Sequence, residues 1–293
     1  MGRIGVWTSL LNDLHADAER DFARAIERLG FHALWFNEGP ASREALSHSA
    51  LLLAWTERLV VAPGIANIWA RDVFAAVNGA RLLADASSGR FVLGLGVSHA
   101  PAVAARGASY TNPYQHMVDY LDGMANVAFP DQAEPAPVVL AALGPRMLRL
   151  AAERTAGAHP YFVPVEHTRR ARQVLGQAPL LAVEQAVVLE TDAARARDVA
   201  RRHTARYLRL PNYVNNLRRL GFGDTDLHEA GSDALVDAVV AWGDEQTVAA
   251  RVRAHLDAGA DHVCIQALTA EPDPRATLAQ LERLASADLV SWT

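Results

Sequence analysis

The 293-residue chain contains no lysine: all 28 of its basic side chains are arginine. With no side-chain amine, Schiff-base aldolase and pyridoxal-lysine chemistry are excluded, and so is the lysine of a phosphate-binding P-loop. A single cysteine, Cys264, excludes an internal disulfide framework and a cysteine-rich zinc site. It stands in the apolar run His262-Val263-Cys264-Ile265, which reads as a buried small hydrophobe rather than a nucleophile. No basic segment with an apolar one behind it opens the chain, and no run of about 18 apolar residues could cross a bilayer. The expectation is a cytoplasmic protein with no membrane partner. A formal charge of −5 argues against a nucleic-acid surface. The 11 histidines show no His-x-x-x-His pair and no Cys or acidic cluster at ligand spacing, so no metal is expected.

What is present is ample apolar material, 51% hydrophobic against 21% charged residues, enough for a sizeable core. Short apolar, β-branched runs at 3–8, 33–36, 59–63, 91–95, 138–142, 159–163, 181–189 and 262–267 read as strands. Helical spacing lies between them at 13–29, 43–56, 72–84, from 113 onward, and at 145–155, 166–175, 192–208 and 244–258; a last helix covers 275–287. Gly30 closes the first helix, Asp72 caps the third, and Pro113 suits a first helical turn. A Pro- and acid-rich connection runs over 130–137. Eight strands alternating with helices predict a (β/α)8 TIM barrel, one domain over 1–293, with an open doubly wound sheet as the competitor. Spacing breaks at an insertion over 211–241, carrying Pro211-Asn212-Tyr213, Asn215-Asn216 and Gly221-Phe222-Gly223. Insertions on the strand-end face build lids and pockets.

In a barrel the chemistry sits where strands end. Those positions hold Glu38, then Gly64-Ile65-Ala66-Asn67, Gly96-Val97-Ser98-His99 and Ala142-Leu143-Gly144-Pro145-Arg146; His159 and Tyr161 lie on strand six, Glu184 and Gln185 on strand seven. Gly144-Pro145-Arg146 pairs a close-approach glycine with free amides at a helix N-terminus, which favours an anion, and Arg146 adds charge; an ordinary strand-to-helix turn is the bland reading. Gly94-Leu95-Gly96-Val97-Ser98-His99 opens like a dinucleotide fingerprint but has His99 where the third glycine belongs, so a Rossmann site is not supported. Gly94 and Gly96 would let the strand end pass close to a flat ligand. His99 titrates near neutral pH and is either a proton carrier or a loop-structuring hydrogen bonder. Glu38 follows an apolar strand, where it either reaches a ligand or caps the helix near Ser42. Trp69 offers stacking and Arg71 an anion contact, or both pack a loop.

In order and spacing these segments resemble the luciferase-like monooxygenase superfamily, and within it the coenzyme F420-dependent (deazaflavin) oxidoreductases. The resemblance runs through nearly the whole chain. It is carried by Ile4-Gly5-Val6-Trp7, by 30–36 into Glu38, by 61–72, by 88–99, by 141–145, by Gly157-Ala158-His159-Pro160-Tyr161 and by 258–263. It implies a TIM barrel with an insertion, binding F420 or FMN at the strand-end face, and a homodimer. It further implies a non-proline cis peptide at Gly64-Ile65 behind the ring, Glu38 at the ring's polar edge and Gly144, Pro145 and Arg146 near the phosphate. Gly64, Ile65, Ala66, Asn67, Gly96, Val97, Ser98, Ala142 and Leu143 complete the cofactor cradle. His99 falls to substrate or proton handling, and Trp69, Arg71, His159 and Tyr213 to the substrate pocket. This chain reads Glu38-Gly39 where relatives often carry Asp-His, and Ala156 where many have Asp. The implied activity is hydride transfer between F420 and a small organic substrate. The alternatives are an FMN-dependent monooxygenase and a redox-inactive barrel acting as a binding protein.

Overall fold

A computed structural model, which describes residues 1–128, 134–287 and 289–291, sorts the chain into ten parallel strands. They are β1 (Ile4–Thr8), β2 (Ala33–Phe36), β3 (Val60–Pro63), β4 (Ala66–Asn67), β5 (Leu93–Gly96), β6 (Val138–Leu140), β7 (Gly157–Ala158), β8 (Leu180–Val188), β9 (Val240–Trp242) and β10 (His262–Ala267). Their order is β3-β2-β1-β10-β8-β7-β6-β5-β4, with β9 beside β8. A parallel bridge from Val61 to Phe91 joins the two ends of that order. The sheet therefore closes, which removes the doubly wound alternative. β3 and β4 form one interrupted stave, and β9 belongs to the insertion, so the barrel has the expected eight.

Side-chain alternation sets the two cores. Ile4, Val6, Leu34 and Phe36 face outward and pack with Phe22, Ile26 and Leu52 of the surrounding helices. Trp7, Trp35, Ala62, Val139, Ala182 and Cys264 form a second cluster inside the barrel. Burying an aliphatic or aromatic side chain of this kind contributes about 1.5–3 kcal/mol. Cys264 is fully buried, as its apolar run predicts. Some interior polar atoms are met in chains: the Trp35 indole N–H donates to Nε2 of His262 (3.1 Å), whose Nδ1 meets the Gly2 carbonyl (2.5 Å). Asp72, Asp192 and Asp244 cap their helices by accepting from the amides of Ala75, Arg195 and Thr247. Gly30 follows its helix at φ +90°, where a side chain would be strained.

Three expectations shift. The sixth strand pairs only at Gly157–Ala158 rather than over 159–163, because Pro160 has no N–H and Phe162 turns left-handed (φ 57°). The insertion is helical, with Pro211–Arg219, Asp224–Leu227 and Asp233–Val239, and it returns through β9 against β8. A short helix, Ala100–Ala104, also interrupts the loose stretch after β5. Of the connection at 130–137, residues 130–133 lie outside the described residues. Among the described residues no helix is long and apolar enough to cross a membrane, and no group of three His, Cys, Asp or Glu is arranged to hold a metal.

Candidate active site

The carboxyl ends of the strands surround a cavity of about 580 Å³, the size of a small-molecule site. On one side the Gly64–Ile65 peptide is cis, as expected, and separates β3 from β4. Its neighbours explain two glycines. A Cβ on Gly94 would collide with the Pro63 carbonyl, and one on Gly96 would lie 2.5 Å from Ile65 Cδ1. Gly94 and Gly96 thus make room for the bulge of the adjacent stave, not directly for a flat ligand. Gly64, Ile65, Gly96, Val97 and Ser98 all line the cavity.

Glu38 borders the cavity, but protein groups already occupy its carboxylate. Oε2 accepts from the amide of Asn67 (2.7 Å) and from Nη1 of Arg71 (3.0 Å). Oε1 accepts from Nη2 of Arg71 and from the Ala45 amide (3.2 Å) at the first turn of the helix Ala45–Trp55. Arg71 also pairs with Glu44 (2.8 Å). Against the opposing pull of burial, the amides of Ser47 (2.8 Å) and Leu46 (3.1 Å) together with Arg71 hold the Glu44 carboxyl near 2. Arg71 therefore ties the strand-two and strand-three loops together and does not line the cavity. Trp69 does not line it either: its indole N–H donates to the Val97 carbonyl (3.0 Å) and its ring stacks on His116 (3.9 Å). The substrate-pocket assignment of both residues is corrected on those grounds. Ala66, Asn67 and Pro145 also stand behind the lining, Asn67 held there by the hydrogen bond its backbone N–H donates to Glu38.

Opposite the bulge, Ala142, Leu143, Gly144 and Arg146 line the mouth, and Pro145 opens the helix Pro145–Arg154. The sequence did not single out the cations that join them. Arg219, from the insertion helix, brings Nη2 to 3.5 Å from where a Gly144 Cβ would stand, and Arg206 lines the same cavity. Arg146 lies over the Tyr114 ring (4.1 Å). Among the described residues none of Arg146, Arg206 and Arg219 has a carboxylate partner, so the mouth carries uncompensated positive charge beside a helix N-terminus. Behind this edge the ring of buried His167 meets the Leu143 carbonyl (2.9 Å); burial holds its pKa near 4, so it stays neutral.

The walls and floor are aromatic. Tyr161 donates to Gln266 Oε1 (2.8 Å) and shares a hydrogen bond with Tyr207 (2.7 Å), while Tyr213 packs edge-on against Tyr207. Below them Glu184 is fully buried; its Oε2 accepts the Phe162 amide (3.0 Å) and its Oε1 has no partner. Burial raises its pKa to about 8, with the Phe162 bond opposing. His99 lines the cavity and hydrogen-bonds Asn212 of the insertion; burial lowers its pKa and that bond partly restores it. Of the expected pocket residues, His159 and Tyr213 do line the cavity. Trp7, at the end of β1, lines it too; inward alternation along β1 was the signal for it.

A closed parallel barrel with a cationic-mouthed, aromatic-walled cavity at its strand ends defines a class of barrel proteins with a small-molecule site at the carboxyl rim. Residues 3–262 match the luciferase-like monooxygenase family, and the chain belongs to it. Members of that family are flavin- or F420-dependent oxidoreductases and monooxygenases. The 5,10-methylenetetrahydromethanopterin reductase of Methanolobus tindarius is 24% identical over 209 residues, 61% of this chain; the match spans 64% of the reductase's own length. An F420-dependent secondary alcohol dehydrogenase solved with an F420-acetone adduct superposes with a TM-score of 0.75 at 14% identity, covering 99% of both chains. The FMN-bound oxygenating constituent of 3,6-diketocamphane monooxygenase from Pseudomonas putida gives 0.71 at 16% identity over 97% of each. At such identities the structural likeness speaks for the fold alone.

Proposed function

We propose that this protein is an F420-dependent oxidoreductase that moves a hydride between the deazaflavin and a small organic substrate. The observation that carries this reading is that Arg146, Arg206 and Arg219, none with a carboxylate partner among the described residues, line the cavity onto which the N-terminus of the helix Pro145–Arg154 opens. One phosphate needs less; a deazaflavin tail with a phosphate and further carboxylates matches the excess. The residues fit the ring as well, because the cavity is large enough and Ile65 presents an apolar surface to it beside Gly64, where Trp7 and His159 leave no room for a side chain. When bound, the cofactor supplies a two-electron hydride carrier that reacts poorly with oxygen.

The chain's own part is placement. Gly144 and the three arginines would hold the anionic tail, with Ala142 and Leu143 beside it. Ile65, Val97 and Ser98 would support the ring, and the tyrosine wall would exclude water. Glu38 would act by fixing Asn67, Ala66 and Arg71 behind the ring. His99 is uncharged at neutral pH and can accept a proton next to the substrate. Titrating the protein in parallel with F420 and FMN, followed by cofactor fluorescence, tests the reading. Binding of F420 with weak or no FMN binding is expected; tight FMN binding alone would select the monooxygenase, and binding of neither the redox-inactive barrel.

We also propose a homodimer. Leu51, Phe74 and Leu82 are exposed on the neighbouring helices Ala45–Trp55 and Val73–Ala86, an apolar face that a second copy would cover. Phe74→Arg with Leu82→Arg should halve the mass in solution by light scattering; an unchanged mass would place the contact elsewhere.

A further inference from the structure

Buried His167, on the helix Val165–Leu175, stands behind the anion edge of the cavity and makes a single hydrogen bond. Its Nε2 lies 2.9 Å from the carbonyl of Leu143, and its Nδ1 has no partner. A carbonyl oxygen can only accept, so Nε2 carries the hydrogen and Nδ1 is a bare lone pair. Burial lowers the pKa of the ring to about 4; the Leu143 bond opposes that fall, and the charges of Arg219 and Arg170 add to it. At neutral pH the ring is therefore an uncharged donor of one bond. A side chain wanted only for packing would be apolar here and would leave no buried nitrogen bare. The histidine's contribution is that one bond.

The carbonyl it holds belongs to the peptide unit that joins Leu143 to Gly144, and both residues line the cavity. That unit is trans and planar, so its C=O and its N–H point in opposite directions. With the oxygen held by a buried ring, the N–H of Gly144 faces away from that ring, and among the described residues it donates to no protein acceptor. Glycine at 144 permits a close approach, but it also frees this peptide to turn over. The reversed unit would carry Gly144 from its φ of −89° to a positive φ, which glycine adopts at little cost. It would then aim a carbonyl oxygen at the anion instead of an N–H. Pro145 has no N–H to offer in its place. We infer that His167 is a positioning residue for the cofactor's phosphate: by anchoring the Leu143 carbonyl it keeps the Gly144 N–H turned toward the anion. This inference rests on the reading of the Gly144 turn as the phosphate site and adds to it a residue behind the turn.

The test titrates wild type, His167→Phe and His167→Gln with F420 and with a deazaflavin lacking the phosphate and tail, thermal melts checking that each variant folds. His167→Phe keeps a buried ring and removes the donor. It should lose F420 affinity about tenfold and hold the tail-less deazaflavin within about twofold of wild type. In His167→Gln the side-chain amide can donate to the same carbonyl, so most of the lost affinity should return. If wild type binds FMN and not F420, the functional reading fails, and the same comparison is made between FMN and riboflavin. A second arm needs neither cofactor. In 15N-glycine-labelled protein, inorganic phosphate should shift the Gly144 amide resonance of wild type and of His167→Gln, and not that of His167→Phe. Three results would overturn the inference: cofactor affinity unchanged in His167→Phe, equal losses with and without the phosphate and tail, or a Gly144 amide that ignores phosphate in wild type or answers it in His167→Phe. Equal losses would make His167 a packing residue for the whole cavity.

Discussion

Arg71 faces Glu38 edge to edge at the strand ends, Nη1 lying 3.0 Å from Oε2 while Nη2 reaches Oε1. The two side chains are 6% and 2% exposed, so this is a buried ion pair whose remaining lone pairs are met by the amides of Asn67 and Ala45. Removing one member leaves the other charged and without its partner, which costs far more than the net worth of the pair. Arg71→Ala should lower stability by about 3–5 kcal/mol in urea denaturation. A loss under about 1 kcal/mol would show that the pair does not hold the loops together.

The arginines at the mouth act on a different quantity. Arg146 and Arg219 are exposed and shape no core, so replacing either by alanine should leave stability within about 0.5 kcal/mol. F420 affinity should fall several-fold and become less sensitive to salt. A deazaflavin lacking the phosphate and tail should bind wild type and variants alike. Equal losses with and without the tail would remove these arginines from the anion site.

His99→Ala should lower turnover about tenfold or more while F420 affinity is largely kept. Because burial sets the His99 pKa below its ordinary value, the wild-type rate should be level through neutral pH and fall only in acid, as the ring gains a proton and loses its accepting nitrogen. Stopped-flow rates across pH read both effects. Turnover that survives in the variant would move the proton route to another residue.

Glu184 gives a stability signature of opposite sign to that of an ordinary ion-paired carboxylate. Burial raises its folded pKa to about 8, well above the ordinary carboxylate range, so the folded state binds the extra proton between those limits. Stability therefore falls as pH rises through that window. Glu184→Gln removes the ionisation, so the variant should gain on the wild type as pH climbs from 5 toward 9. Thermal melts across that range should show the gap widening. A constant gap would mean that Glu184 is ionised throughout.

The barrel was legible because each stave announces itself locally as a short β-branched run. The sixth failed where Pro160 and Phe162 break pairing inside an apolar run that looks like any other strand. β9 was hidden in the insertion, since three residues give too little periodicity to separate from the helix before them. The glycine- and proline-marked turns at Gly64, Gly96 and Gly144 did lead to the cavity, for backbone shape is written in adjacent residues. Trp69 and Arg71 could not be placed that way: their partners, Val97, His116 and Glu38, are remote in the chain. Arg206 and Arg219 carry no local signal that sets them apart from the other helix arginines, and only the folded chain brings them to the cavity.

The most direct measurement is a crystal structure of the protein with F420. The account predicts the ring against Ile65 and the tail phosphate within hydrogen-bonding distance of the Gly144-Pro145-Arg146 turn and Arg219. A ring bound away from the Gly64–Ile65 bulge, or a phosphate that touches none of these groups, would contradict it.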